Sequence, residues 1–198
     1  MGAELCEAEY GSKGVSDFLF MKTSSSQFLW QSLVCLVLFI TASWAAERNP
    51  PGDIPDDQVF VSYTSSSGGY SLKVPEGWAR SEKGADVNFI DKFDGVAVAV
   101  ETAAAAPTAK EVTARLERPQ KATKVVSTKE IQLPAGQAIL VKYESDSEAN
   151  PVTNKRIRLE SEAYVFYKNG KTATLTLWAP KGADNADQWK LMSESFRW

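Results

Sequence analysis

Side chains able to do chemistry are few in this sequence. Histidine is absent, and the two cysteines, Cys6 and Cys35, both precede residue 46. The commonest general base is therefore missing, and residues 46–198 lack the thiol nucleophile and the preferred zinc ligands as well. Carboxylates remain. Asp91 and Asp94 flank Lys92-Phe93, and with Glu101 they offer oxygens of the kind calcium takes. The full D-x-D-x-D-G loop with its distant Glu is not there, and turn-forming, solvated carboxylates account for the same spacing. In pairs, Asp91, Asp94, Glu101 or Glu160 could also serve as acid and nucleophile of a glycosidase-type hydrolase. No G-x-S-x-G, Walker-type loop or zinc spacing occurs after residue 45. No cofactor is expected.

Two charged groups remain. Glu144, Asp146 and Glu148 stand two apart before Asn150-Pro151, in a long polar stretch. Lys155, Arg156 and Arg158 form a basic cluster just beyond it. Surface salt bridging explains such residues, and a long polar loop is equally a contact surface for a protein partner.

The elements that would position these residues are mostly strands. Val59 to Tyr63 reads as a first short strand or as the last part of a tether, and Ser65-Ser66-Ser67-Gly68-Gly69 as a turn. Tyr70, Leu72 and Val74 alternate with polar residues until Pro75. Val87–Asp91 and Val96–Val100 come next, with Asp94-Gly95 as the hairpin signal between them. Pro107-Thr108 opens a helix to about Arg118, with Val112 and Leu116 on one face. Strands resume over Val125–Leu133, Gln137–Tyr143, Lys155–Tyr167 and Lys171–Ala179. A helix over Ala183–Phe196, capped by Asp184, carries Trp189, Met192 and Phe196 on its buried side. Trp78 is expected to plug one end of the core.

Asn169-Gly170 predicts a two-residue type I′ hairpin that sets Phe166 opposite Ala173 and Tyr164 opposite Leu175. On the other face it sets Val165 opposite Thr174 and Tyr167 opposite Thr172. Neither face reads as fully solvated, so helices are expected to cover the sheet on both sides. Arg156, Arg158, Glu160 and Glu162 break the pattern, which predicts a bulge or a splayed end.

The front of the chain has its own logic. Leu33–Ile40 is wholly apolar, too short to span a bilayer comfortably but suited to a signal-peptide core. Lys22 precedes it, and Ser43 and Ala45 are the small residues wanted before a cleavage site. Residues 21–45 thus read as a signal peptide cut after Ala45, with Ala46 the next choice. An uncleaved anchor over Phe28–Ala46 is the alternative. Residues 1–20 hold Glu4, Glu7, Glu9 and Asp17 against Lys13, an acidic balance foreign to a signal peptide, and read as a mis-set start. Cys35 lies inside the apolar run, unlike a lipidated cysteine. No twin arginine is present, so the general secretory route is expected, to the periplasm or outside. Residues 46–58, rich in Pro and Asp, read as a linker, and 59–198 as one domain. Of the 22 basic and 25 acidic residues, Lys13, Lys22 and those four acids precede residue 46, leaving 46–198 a net charge of −1. Nothing in that balance points to nucleic acid.

Gly69-Tyr70-Ser71-Leu72-Lys73-Val74-Pro75-Glu76-Gly77-Trp78 is similar to the opening of the PsbP family, and the order of the later strands and helices resembles that family over residues 68–198. The resemblance implies an α+β fold: an α/β/α sandwich, a central antiparallel sheet covered by helices on both faces. It also implies kinship with an extrinsic, lumen-side photosystem subunit. Photosynthetic members place polar side chains, including histidine, near metal sites; with no histidine, this chain fits a non-photosynthetic bacterial relative better.

The expectation is an exported, non-catalytic binding or assembly protein, peripheral to a membrane complex or envelope partner. A carboxylate hydrolase is the alternative. So is a carrier of a small apolar ligand, with a cavity lined by Phe89, Leu140 and Tyr164. Amino-terminal sequencing of the protein from its own cells is expected to begin at Ala46; a first residue far ahead of it defeats the export reading.

Overall fold

The computed structural model describes residues 51–117 and 122–198. The readings of residues 1–20 and 21–45, and residues 46–50 of the expected linker, lie outside the described residues. Nine strands run β1 Phe60–Ser65, β2 Tyr70–Pro75, β3 Ala79–Lys83, β4 Asp86–Asp91, β5 Asp94–Thr102, β6 Lys124–Leu133, β7 Gly136–Asp146, β8 Arg158–Lys168 and β9 Lys171–Pro180. The helices are α1 Ala109–Leu116 and α2 Ala186–Ser195. β1 and β2 pair as a two-stranded sheet, and the other seven form an antiparallel sheet in the order β3-β4-β5-β9-β8-β7-β6.

The Asn169-Gly170 turn sets the register of the sheet centre. Both residues have positive φ, 52° and 73°, which a type I′ loop requires. The ladder pairs Phe166 with Ala173, Tyr164 with Leu175, Val165 with Thr174 and Tyr167 with Thr172. No bulge interrupts β8 against β9; a register shift falls instead in β6, between Val125 and Ser127. Two charges of β8 sit in the ladder beside side chains of opposite sign, Arg158 against Glu144 and Asp146, and Glu162 against Lys142.

One face of the large sheet is sealed. Val87, Phe89, Val96, Val98, Leu140, Tyr164, Phe166 and the alternate residues of β9 from Ala173 to Ala179 pack there against the β1–β2 hairpin and α2. Trp189, Met192 and Phe196 are buried in this core, and Trp78 packs half-buried at its margin. Tyr63 meets Phe89 edge-on at 5.1 Å, and Phe166 meets Phe196 at 5.0 Å. Phe89, Leu140 and Tyr164, expected as cavity walls, fill the core instead.

The expected helix-covered sandwich is not what forms. Among the described residues the fold is mostly β, with two helices of 8 and 10 residues. The sealed face is covered by the β1–β2 hairpin together with α2. On the other face α1 packs on β6 and β7 through Val112, against Ile139 and Val141. Among the described residues no other helix lies on that side. Geometry explains why: eight helical residues span about 12 Å, whereas seven strands span about 29 Å. The uncovered part is lined by small or hydroxylated half-buried residues, Ala97, Ala99, Thr174 and Thr176, which stand water better than Leu or Phe.

Two further differences concern the ends of elements. β3 has no apolar alternation, and all five of its residues are exposed. It is an edge strand guarded by Arg80, Glu82 and Lys83. α2 starts from Asn185, not Asp184, and Asn185 makes no side-chain cap bond. Its amide is occupied elsewhere: Oδ1 accepts from Ile54 N at 2.7 Å, and Nδ2 donates to Gly52 O at 2.7 Å. Gln188 Nε2 donates to Ile54 O at 3.2 Å, and Ile54 is buried in the core. The part of the expected linker that is described is thus a strap held down by α2. Asn185→Ala leaves the buried Ile54 N–H unpaired and is expected to lower unfolding free energy by about 2 kcal/mol, read by urea denaturation.

Candidate functional site

The charged residues flanking the β7–β8 connection gather at one end of the large sheet, where β7 passes into β8 through residues 147–157. Asn150 organises that connection. Its Oδ1 accepts from Val152 N and Thr153 N at 3.0 and 2.9 Å, its carbonyl accepts from Asn154 N, and its own N–H donates to Lys155 O. Ser147 closes the neck, its Oγ accepting from Ile157 N at 3.1 Å and its carbonyl from Arg156 Nη1 at 2.8 Å.

Glu144 and Asp146 leave β7 on the sealed-face side and meet Arg158 across the ladder, at 3.3 and 3.0 Å. Lys181 reaches Glu144 at 2.7 Å, and Arg158 Nη1 also donates to Ala122 O. Lys181 and Arg158 hold the Glu144 carboxyl below its ordinary range, and Asp146, then Glu144, push the Arg158 pKa up. Glu162 takes both Lys142 and the Tyr164 hydroxyl. Arg158 is thus engaged within the protein, whereas Lys155 and Arg156 lie on the exposed connection.

On the opposite face of the same end lies a groove of about 780 Å³. Its floor is Trp178, Leu159, Ser161, Tyr143 and Ser145, from β9, β8 and β7; Leu116 of α1, the β4–β5 turn and the 147–157 connection form its walls. Gly95 makes the floor possible. It pairs with Trp178 across the ladder, and a Cβ on Gly95 would overlap the indole ring. The two-residue turn between β4 and β5 is Lys92-Phe93, with Lys92 at φ 49°; Asp94-Gly95 already belongs to the strand. Ile90 and Phe93 stand 43% and 46% exposed beside the groove, a large apolar exposure for neighbouring residues. Sequence reasoning missed this groove, although the glycine inside β5 was its signal.

The carboxylates considered for calcium or hydrolysis do not converge. Asp91 and Asp94 oppose each other beside the turn, while Glu101 lies at the far end of β5 on the other face, 4.0 Å from Arg115. Glu160 lies across the ladder from Glu144. Among the described residues no group of three or more His, Cys, Asp or Glu side chains is placed to hold a metal ion. Asp94 is unusual in another way. It is 6% exposed, and its Oδ1 has no hydrogen-bond partner among the described residues. A Cβ on Gly52 of the strap would lie 3.0 Å from that oxygen. Burial, then the charges of Asp91 and Asp53, pushes its pKa to about 7.

A carboxyl whose folded pKa is raised makes the folded state the stronger proton binder. Its stabilising effect is complete below the ordinary value of about 3.9 and is lost as pH rises to about 7. The wild-type protein is expected to lose stability from pH 4 to 7 relative to Asp94→Asn. Parallel unfolding free energies of the two across that range count against a proton held at Asp94.

No protein-family model and no curated protein matches the sequence. Among solved structures, the chain is similar to the solution structure of cyanobacterial PsbP (CyanoP) from Synechocystis sp. PCC 6803. The TM-score is 0.52 and the identity 18%, covering 74% of this chain and 97% of that one. A protein from Bacteroides thetaiotaomicron VPI-5482 matches at a TM-score of 0.44 and 11% identity, covering 69% of this chain and 47% of that one. The first likeness shows a PsbP-like fold.

Proposed function

We propose that this is an exported, non-catalytic binding or assembly protein that docks on a membrane-associated complex or envelope partner. The observation that carries the reading is the 147–157 connection. It is braced by its own hydrogen bonds, yet it holds Val152 90% exposed beside exposed Glu148, Lys155 and Arg156. An apolar side chain presented on a preformed loop, rimmed by charges of both signs, suits protein recognition better than solvation alone. The PsbP-like fold supports a docking role by analogy of architecture. Scattered carboxylates and the absence of histidine lend the hydrolase reading no comparable support.

A photo-crosslinking amino acid at position 152, in cells that make the protein, is expected to capture one discrete membrane-fraction protein. The same group at Asn169, at the opposite end of the sheet, is expected to capture none. Equal capture at both positions, or none at either together with measurable hydrolytic activity, reverses the reading.

A further inference from the structure

The groove on the open face is chemically polarised along its length. It crosses five strands, from β4 to β7 by way of β5, β9 and β8, about 19 Å at the ordinary strand spacing. Its β4–β9 end is apolar, with Ile90, Phe93 and the Trp178 indole. Its β8–β7 end carries the hydroxyls of Ser161 and Ser145. Both serines are more than nine-tenths buried, at 4% and 8% exposure, and both line the groove. Neither hydroxyl has a hydrogen-bond partner among the described residues. Two hydroxyls on adjacent strands, open to the trough and without protein partners, are donors available to whatever lies in it.

The charges at the rim choose the sign of that partner. Asp146 is held by Arg158, and Glu148 also has a partner within the protein. Lys155 lines the same trough with no ion pair among the described residues. A volume of about 780 Å³, an aromatic floor and a few converging polar groups are the ordinary features of a small-molecule site.

We propose that this groove binds a small amphiphilic carboxylate. The apolar body lies on the Trp178 indole between Leu116 and Phe93. The carboxylate accepts hydrogen bonds from the Ser161 and Ser145 hydroxyls and faces the Lys155 ammonium. The inference concerns the groove, on the face away from the Glu144–Arg158 pairs, and stands without a docking partner.

Calorimetric titration of the full chain tests it, with dodecanoate as the probe and dodecanol as its neutral counterpart. Dodecanoate is expected to bind saturably at one site, and dodecanol at least about tenfold more weakly. Lys155→Glu is expected to weaken dodecanoate about tenfold and to leave dodecanol unchanged, whereas Lys129→Glu, on the distant edge strand, alters neither. Ser161→Leu fills the floor and abolishes binding of both; should it fail to fold, Ile157→Glu at the rim serves the same purpose. Absent saturation, equal affinity for the two probes, or dodecanoate binding that survives both Lys155→Glu and the filled or charged groove would each overturn the proposal.

Discussion

A seven-stranded antiparallel sheet can seal each of its faces only with something broad enough to lie on it. Here one face receives the hairpin β1–β2 and α2 together, and the rings of Tyr70, Phe166 and Phe196 close over one another there. The other face receives one short helix near its edge. At the sheet centre that asymmetry separates Val96, Val98, Leu175 and Leu177 on the sealed side from Ala97, Ala99, Thr174 and Thr176 on the other. Among the described residues nothing else covers the centre of the second face, and the groove occupies part of it.

Much of this order was legible before any coordinates. Alternation placed Tyr70, Leu72 and Val74 on one side of β2, and Asn169-Gly170 determined the β8–β9 register residue by residue because side-chain direction repeats every two residues. The covering of the sheet was not legible. Val165, Tyr167 and the threonines of β9 signal a face that is half-buried, and half-burial does not say whether a helix, a loop or water lies above. β3 escaped notice because its sequence, Ala-Arg-Ser-Glu-Lys, is that of an edge strand with no apolar side. At α2 the choice between Asp184 and Asn185 turned on a partner 131 residues away, which local capping rules cannot see.

The candidate site shows the same division. Glu144, Asp146, Glu148, Lys155, Arg156 and Arg158 are near in sequence because one hairpin connects them, so their gathering at one sheet end was readable. Their roles were not. Arg158 read as one member of a basic cluster on the surface and is the hub of an internal network, while Lys155, just ahead of β8, is left outside it. Floor residues Trp178 and Gly95 belong together only through β5–β9 pairing, a crossover that no local pattern announces.

Asn185 and Gln188 grip Gly52 and Ile54, and Ser71 exchanges two backbone hydrogen bonds with Arg197, at 2.9 and 2.8 Å. The start of the domain is thereby completed by its carboxy-terminal segment. A chain emerging from the ribosome would have no companion for Ile54 or for the free edge of β2 until synthesis is nearly over. Contacts so distant in sequence make closure a late and slow step. Such a polypeptide stays open until its final helix appears, so truncation of that helix would strand the amino-terminal hairpin as well.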